Sequence, residues 1–172
     1  MRTKMTGAAF AFLFLGISVL GDWSPATARQ DGTGGATPAT TTGVVREVLS
    51  DTEPESAPGE VFELVLYTIE PGALLPVHTH PGVQMAVVES GTLTYHVVDN
   101  GSVAVTRADG GEEVIEPGEM VTFEVGDAWV EPEGMVHYAE NLTDEPVVLV
   151  ASSLLDAGAP TAILVLEATP AD

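Results

Sequence analysis

Three of the chain's four histidines stand in two spaced clusters that could together hold one metal ion. His78 and His80 are two residues apart, and Gln84 follows closely after Pro81-Gly82-Val83. His137 lies far downstream, behind Pro132 and Gly134. On a strand, side chains two apart share a face, so an H-x-H pair aims both imidazoles the same way. Neutral imidazole is the commonest protein ligand for divalent transition metals, and a third ring from a distant strand would close such a site. A lone histidine is more often structural than a ligand; the spacing of these three is what points to a centre. The chain has no cysteine. That excludes disulfides, thiolate metal sites and cysteine nucleophiles, and leaves nitrogen and oxygen as the ligand atoms.

The imidazoles need strands to position them. From Val44 onward the sequence reads as short β-type runs, among them residues 74–80, 84–89, 92–98, 128–130 and 136–140. Turns punctuate these runs at Glu70-Pro71-Gly72, Ser90-Gly91, Asp99-Asn100-Gly101, Asp109-Gly110-Gly111 and Glu116-Pro117-Gly118. No segment beyond the N-terminus shows a 3.6-residue apolar period, so the pattern predicts an all-β sandwich or barrel in a single domain over 44–172. Residues 29–43 are small and polar and read as a flexible linker.

Residues 1–28 read as an export signal: Arg2 and Lys4, an uncharged apolar stretch over 7–21, then Ala26-Thr27-Ala28 as a cleavage site. The apolar stretch is shorter than the ~20 residues a helix needs to cross a bilayer. Cleavage is therefore expected rather than a retained anchor, with no stable membrane insertion afterwards and a secreted or periplasmic location. The chain carries 26 acidic and 5 basic residues, for a net charge of −21. This argues against nucleic acid as a partner, which would need a basic patch. The acids are scattered rather than clustered, so they read as a solubilising surface.

The two clusters, taken whole, resemble the paired motifs of the cupin superfamily. The first runs Gly72-(5)-His78-Thr79-His80-(3)-Gln84-(6)-Gly91, over 72–91. The second runs Gly126-(5)-Pro132-Glu133-Gly134-(2)-His137-(3)-Asn141, over 126–141. The resemblance covers roughly residues 60 to 156 and implies a double-stranded β-helix, the jelly-roll barrel of cupins. It also implies one divalent transition metal ion (Zn, Ni, Mn, Fe or Cu) held by His78, His80, Gln84 and His137, a small-molecule ligand or substrate, and a homodimer. The stretch between the motifs is longer than a minimal cupin needs and predicts an extra hairpin around Asn100-Gly101 and Gly110-Gly111.

One position departs from the motif. Cupins usually place a glutamate ligand where this chain has Gln84, although some isomerase and uronate ring-opening types use glutamine. Three imidazoles and an amide carbonyl would leave a divalent ion its full +2 charge, making it a stronger Lewis acid. On this reading Gln84 favours polarising chemistry over oxygen activation.

Tyr95 shares the inward face of its strand by alternation and is the candidate catalytic residue, donating a proton or orienting substrate through its hydroxyl. The structural alternative is an aromatic lining the barrel. His96 points outward by the same alternation and has no assigned role. Met135 and Ala139 flank His137 and should line the same cavity, and Trp129 should belong to the barrel wall or rim. Glu89 and Glu131 are the remaining candidates for a base, although a turn glutamate is ordinarily just solvated. Asn141 should tie a turn. It also begins a formal glycosylation triplet, Asn141-Leu142-Thr143, which its place in the fold argues against using.

Three functions are compatible with these residues. The first is an exported metal-dependent isomerase or lyase that polarises a sugar acid or hydroxy acid. The second is a binding module without turnover. The third is a non-haem metal dioxygenase.

Overall fold

Alternation of apolar and polar side chains dictates the architecture. In the stretch from Val147 to Asp156, Val147, Leu149, Ala151, Ser153 and Leu155 are buried, while the residues between them are partly solvated. That period of two is the mark of a strand with one face on a core. A computed structural model describes residues 41–165; the expected export signal and most of the expected linker lie outside the described residues.

Twelve strands follow in order: β1 (Val44–Thr52), β2 (Glu60–Ile69), β3 (Leu74–Thr79), β4 (Gly82–Ser90), β5 (Leu93–Asp99), β6 (Val103–Thr106), β7 (Glu112–Ile115), β8 (Met120–Phe123), β9 (Ala128–Glu131), β10 (Val136–Glu140), β11 (Val147–Asp156) and β12 (Ile163–Leu164). Among the described residues there is no helix. The strands form a seven-stranded sheet, β1-β2-β11-β4-β9-β6-β7, and a five-stranded sheet, β12-β3-β10-β5-β8. This is the all-β architecture that the turns predict, in the double-stranded β-helix form that the motif resemblance implies. The hairpin expected between the motifs is β6–β7, turned at Gly110 with φ +86°.

The core lies between the two sheets. Leu93, Tyr95, Val97 and Phe123 come from the smaller sheet, and Ile69, Val88, Val105, Trp129 and Leu149 from the larger. An aromatic cluster joins them: Phe123 stacks on Trp129 at 4.3 Å between centroids, and Tyr95 lies 5.4 Å from Phe123 and 5.9 Å from Trp129. Such pairs add to the burial of apolar area.

Within the larger sheet, β4 and its flanking turn meet the β11 segment closely where the chain has no side chain. At Gly82, where β4 begins against β11, an added Cβ would stand 2.1 Å from the Leu154 carbonyl oxygen. No residue but glycine fits that approach. The expected close packing at Gly91 is also found, with a Cβ there meeting the Pro146 carbonyl oxygen at 2.7 Å.

Asn141 is fully buried and uses its whole side chain. Its Nδ2 donates to the Ile69 and Glu145 carbonyls at 2.9 and 2.8 Å, and its Oδ1 accepts from the Thr143 amide and hydroxyl at 3.0 and 2.7 Å. The triplet it begins is therefore shut to modification in the folded chain. Asp127 plays a similar part in the β8–β9 turn. It accepts from the amides of Ala108 and Glu124 at 2.9 and 3.0 Å and from Arg107 at 2.6 Å.

Burial works to raise the Asp127 carboxyl, but the two amides and the guanidinium outweigh it and hold it below its ordinary value. A depressed folded-state pKa gives stability that is present above the unfolded value, about 3.9, and is lost as pH falls through the folded one. D127N should therefore lower the melting temperature at pH 7, with the gap to wild type closing below about pH 4, as thermal unfolding at several pH values would show. Asn141→Ala removes four hydrogen bonds, one of them to the carbonyl of the fully buried Ile69, and should cost about 2–4 kcal/mol in urea unfolding.

Candidate metal centre

Strand pairing brings the histidines together. His78 on β3 and His137 on β10 are direct partners across an antiparallel ladder, with ring centroids 4.2 Å apart. His80 follows just past the end of β3 on the same face, with centroids 4.8 Å from His78 and 5.2 Å from His137. Between the His137 and Ala139 pairings, β3 uses one residue more than β10, a bulge at Pro76–Val77. Proline suits a bulge because it has no N–H to give to the ladder. The Pro76 carbonyl then serves the site directly, accepting from His78 Nδ1 at 2.7 Å.

The other two rings are anchored in the same way. His80 Nδ1 meets the Thr161 carbonyl at 2.7 Å, and His137 Nδ1 meets the Met135 carbonyl at 3.2 Å. A carbonyl can only accept, so each Nδ1 carries a proton, and each neutral ring keeps its lone pair on Nε2. Ring nitrogens held this way are what a metal site requires. One ligand nitrogen from each of the three lies within 4.8 Å of those of the other two, and all three residues are buried. Burial first, then the neighbouring His137 and His80, lower His78 to about 3. It is thus neutral, and able to ligate, across the physiological range. Burial also lowers His137; for His80 the effect of burial is outweighed by Glu131, and its pKa rises.

The larger sheet supplies the opposite wall. Gln84 on β4 and Glu131 on β9 are register partners, and both face the histidines. Glu131 is 3% exposed, deep enough to require partners for its charge. Its Oε1 accepts from the Tyr95 hydroxyl at 2.9 Å and from Trp129 Nε1 at 2.8 Å. Its Oε2 accepts from Gln84 Nε2 at 2.9 Å and lies 3.3 Å from His80 Nε2 and 3.6 Å from His137 Nε2. Burial works to raise this carboxyl, but His137, His80 and the Trp129 N–H together hold it well below the usual carboxylate range.

The sequence-predicted residues therefore meet, with three differences. Gln84 reaches the site, but its amide is turned: Nε2 lies toward Glu131 and 3.3 Å from His80 Nε2, while Oε1 accepts from Ser153 at 3.3 Å. The surroundings of the three imidazoles are not charge-neutral, because the fold adds the Glu131 carboxylate. Tyr95 is present and stacks on His137 at 5.3 Å, but its hydroxyl proton is given to Glu131. Burial first, then Glu131, raise Tyr95 well above 10, which makes it a poor acid.

Of the two carboxylates weighed as bases, Glu89 is exposed and outside the site, whereas Glu131 is at its centre. The signal that could have placed Glu131 is period-two alternation: a β9 that buries Trp129 must bury Glu131 as well. Met135 and Ala139 are buried around His137 as expected. His96 faces away, stacked on Tyr138 at 4.0 Å and paired with Glu140 at 3.0 Å.

The family model for the cupin domain matches residues 65–153, just over half of the chain. The chain belongs to the cupin family. It is 29% identical over 85 residues to oxalate decarboxylase OxdC of Bacillus subtilis (strain 168), which is 49% of this chain and 19% of that protein. Among solved structures it resembles oxalate oxidase bound to the substrate analogue glycolate, with a TM-score of 0.49 and 19% identity over 77% of this chain and 60% of that one. It also resembles an uncharacterized double-stranded β-helix protein from Klebsiella pneumoniae, with a TM-score of 0.44 and 21% identity over 76% of this chain and 90% of that one. This cupin thus spans less than two thirds of the oxalate oxidase chain and under a fifth of OxdC.

If Tyr95 serves chiefly to hold Glu131, removing its hydroxyl is a stability change. Y95F should cost about 1.5–3 kcal/mol in urea unfolding at pH 7, the worth of a hydrogen bond to a buried charged group. A free hydroxyl facing a ligand would leave stability unchanged.

Proposed function

We propose that this cupin works outside the cytoplasm, after removal of residues 1–28, and holds one divalent transition metal ion through His78, His80 and His137. We further propose that the ion acts on a small oxygen-rich molecule. The observation that carries this reading is the shared anchoring of the three rings: each Nδ1–H is given to a backbone carbonyl, so the ligating lone pair of each ring is left on Nε2. All-imidazole and oxygen donors suit zinc, nickel, copper, iron or manganese.

A bound ion would supply Lewis-acid polarisation of a carbonyl or carboxylate, which favours enolisation, isomerisation or elimination. The chain's own residues bind and orient. The histidines fix the open positions, and Met135 and Ala139 close an apolar shell around His137. Because the three imidazoles are 3–6% exposed, a ligand must enter the barrel to reach them, which restricts it to a small molecule. The likeness to a decarboxylase of oxalate makes oxalate the first probe to try, with sugar acids and hydroxy acids next.

One observation favours a second reading, stoichiometric binding without turnover. The polar groups beside the histidines are committed to one another: Tyr95 and Trp129 to Glu131, Gln84 to Glu131, and Ser153 to Gln84. None of these groups is left to carry a proton to or from a ligand without giving up a partner. Incubation with oxalate and hydroxy acids separates the readings: a new product by mass spectrometry supports catalysis, and a calorimetric signal without product supports binding alone.

The metal itself is checked by elemental analysis of the purified mature protein. The expected content is about one divalent ion per chain in wild type and near none in His137→Ala. Wild-type protein that stays metal-free after incubation with Zn, Mn, Fe, Ni and Cu salts would sink the reading.

A further inference from the structure

We infer that Glu131 supplies the carboxylate of this metal centre, from β9, and that Gln84 acts on the ion only through that carboxylate. The inference rests on the three-histidine reading above and gives the site a ligand from outside the motif position where a glutamate is usual.

The spacing is the first ground. Two ligands each ~2.1 Å from one ion stand ~3.4 Å apart at a tetrahedral angle and ~3.0 Å apart at an octahedral one. Glu131 Oε2 lies 3.3 Å from His80 Nε2 and 3.6 Å from His137 Nε2, the separation of atoms that share an ion. The two carboxylate oxygens also have different duties. Oε1 is held by two neutral donors, Tyr95 and Trp129, whereas Oε2 has only the Gln84 amide and otherwise faces imidazole.

The second ground is charge. A carboxylate 3% exposed needs a counter-charge. Neither arginine among the described residues pairs with it, since Arg46 is paired with Glu63 and Arg107 with Asp127 and Glu113; its only neighbours able to carry positive charge are His80 and His137, whose Nδ1–H groups are already given to carbonyls. A divalent ion among three neutral imidazoles meets that need.

The third ground is the amide. Gln84 turns its NH2 toward Glu131 and the histidines, and its oxygen toward Ser153. An NH2 group cannot ligate a cation. Rotating the amide to bring its oxygen inward would remove a hydrogen bond from a buried carboxylate. The departure at position 84 then has a cause. Gln84 and Glu131 are register partners, so a glutamate at 84 would set two buried carboxylates side by side and take away the hydrogen bond that the amide now gives Glu131. One acid and one amide fill that pair of positions, and here the acid is on β9.

The test measures Zn2+ affinity by chelator competition and the visible spectrum of the Co2+-loaded protein, for wild type, E131Q and the swap Q84E/E131Q, with circular dichroism to confirm folding. Losing a ligand should weaken Zn2+ binding of E131Q by about 100-fold or more and change the Co2+ spectrum, beyond the 10–100-fold typical of a supporting residue. The swap should bind within about 10-fold of wild type, because it again offers one carboxylate and one amide. An E131Q protein with wild-type affinity and an unchanged Co2+ spectrum overturns the inference and leaves the three-histidine reading standing. So does a swap that binds more than about 10-fold tighter than wild type, since that would mean the native site had no carboxylate ligand. Should E131Q fail to fold, the swap decides alone. Wild-type protein that binds neither Zn2+ nor Co2+ defeats the three-histidine reading itself.

Discussion

The pairing of β3 with β10 is the constraint on which the site depends. It sets His78 opposite His137, and with side chains alternating along each strand it fixes which face both imidazoles occupy. A slip of one residue in either strand would turn its ring out of the barrel and put a neighbour such as Val77 or Val136 in its place. The register is held at several points. Pro76 makes the bulge beside His78, and its carbonyl orients that ring. β10 is paired on its other side with β5, where Ala139 meets Tyr95. On the outer edge β12 closes onto β3, and the carbonyl of Thr161, just ahead of β12, fixes His80. A ring near the start of the barrel is therefore aimed by a residue near its end, and the site exists only when the whole jelly roll is closed.

Inside that frame the governing energetics are those of one buried negative charge. An isolated carboxylate in a low-dielectric interior would take up a proton. Glu131 avoids this because three donors hold it: a phenol, an indole and an amide. The same donors explain why the aromatic cluster sits where it does. Tyr95 and Trp129 join the two sheets through their rings and hold the carboxylate through their polar tips, so core packing and site polarity are set by the same side chains. The surface acids that give this chain its net charge of −21 are a separate matter, since water solvates them.

The fold was legible from the sequence because its signals are local. Turns built on Pro-Gly and Asn-Gly pairs, with β-branched runs between them, place each strand within a few residues. The reach of β11 to Asp156 reflects pairing with β2 and β4 on both sides along its length, which no local pattern encodes. The three histidines were legible for the same reason: two fall in one β-type run, over 74–80, and the motif carries the third. For Glu131 the one local signal is the alternation that buries Trp129, which turns it inward but does not say what it meets there. Its importance is a fact of tertiary register, the pairing of β9 with β4 that sets it against Gln84. The orientation of the Gln84 amide is likewise decided by partners distant in the chain, Glu131 and Ser153, and could not be read from its position in a motif.

That orientation changes what the site says about chemistry. A neutral ligand set would leave a divalent ion at +2 and argue against oxidation of the ion, and hence against oxygen activation. With the Glu131 carboxylate among the imidazoles, a bound divalent ion would instead have a local charge of +1, the value a conventional cupin glutamate would give. The glutamine at position 84 then no longer separates Lewis-acid chemistry from oxygen chemistry. What remains to separate them is the ion, because zinc has no accessible second oxidation state whereas iron and manganese do. The protein's own contribution, three neutral rings and one carboxylate behind aromatic donors, is the same for either. For a metal-loaded site, any choice of reaction would therefore pass from the residue at position 84 to the ion and to the shape of the molecule that can enter the barrel.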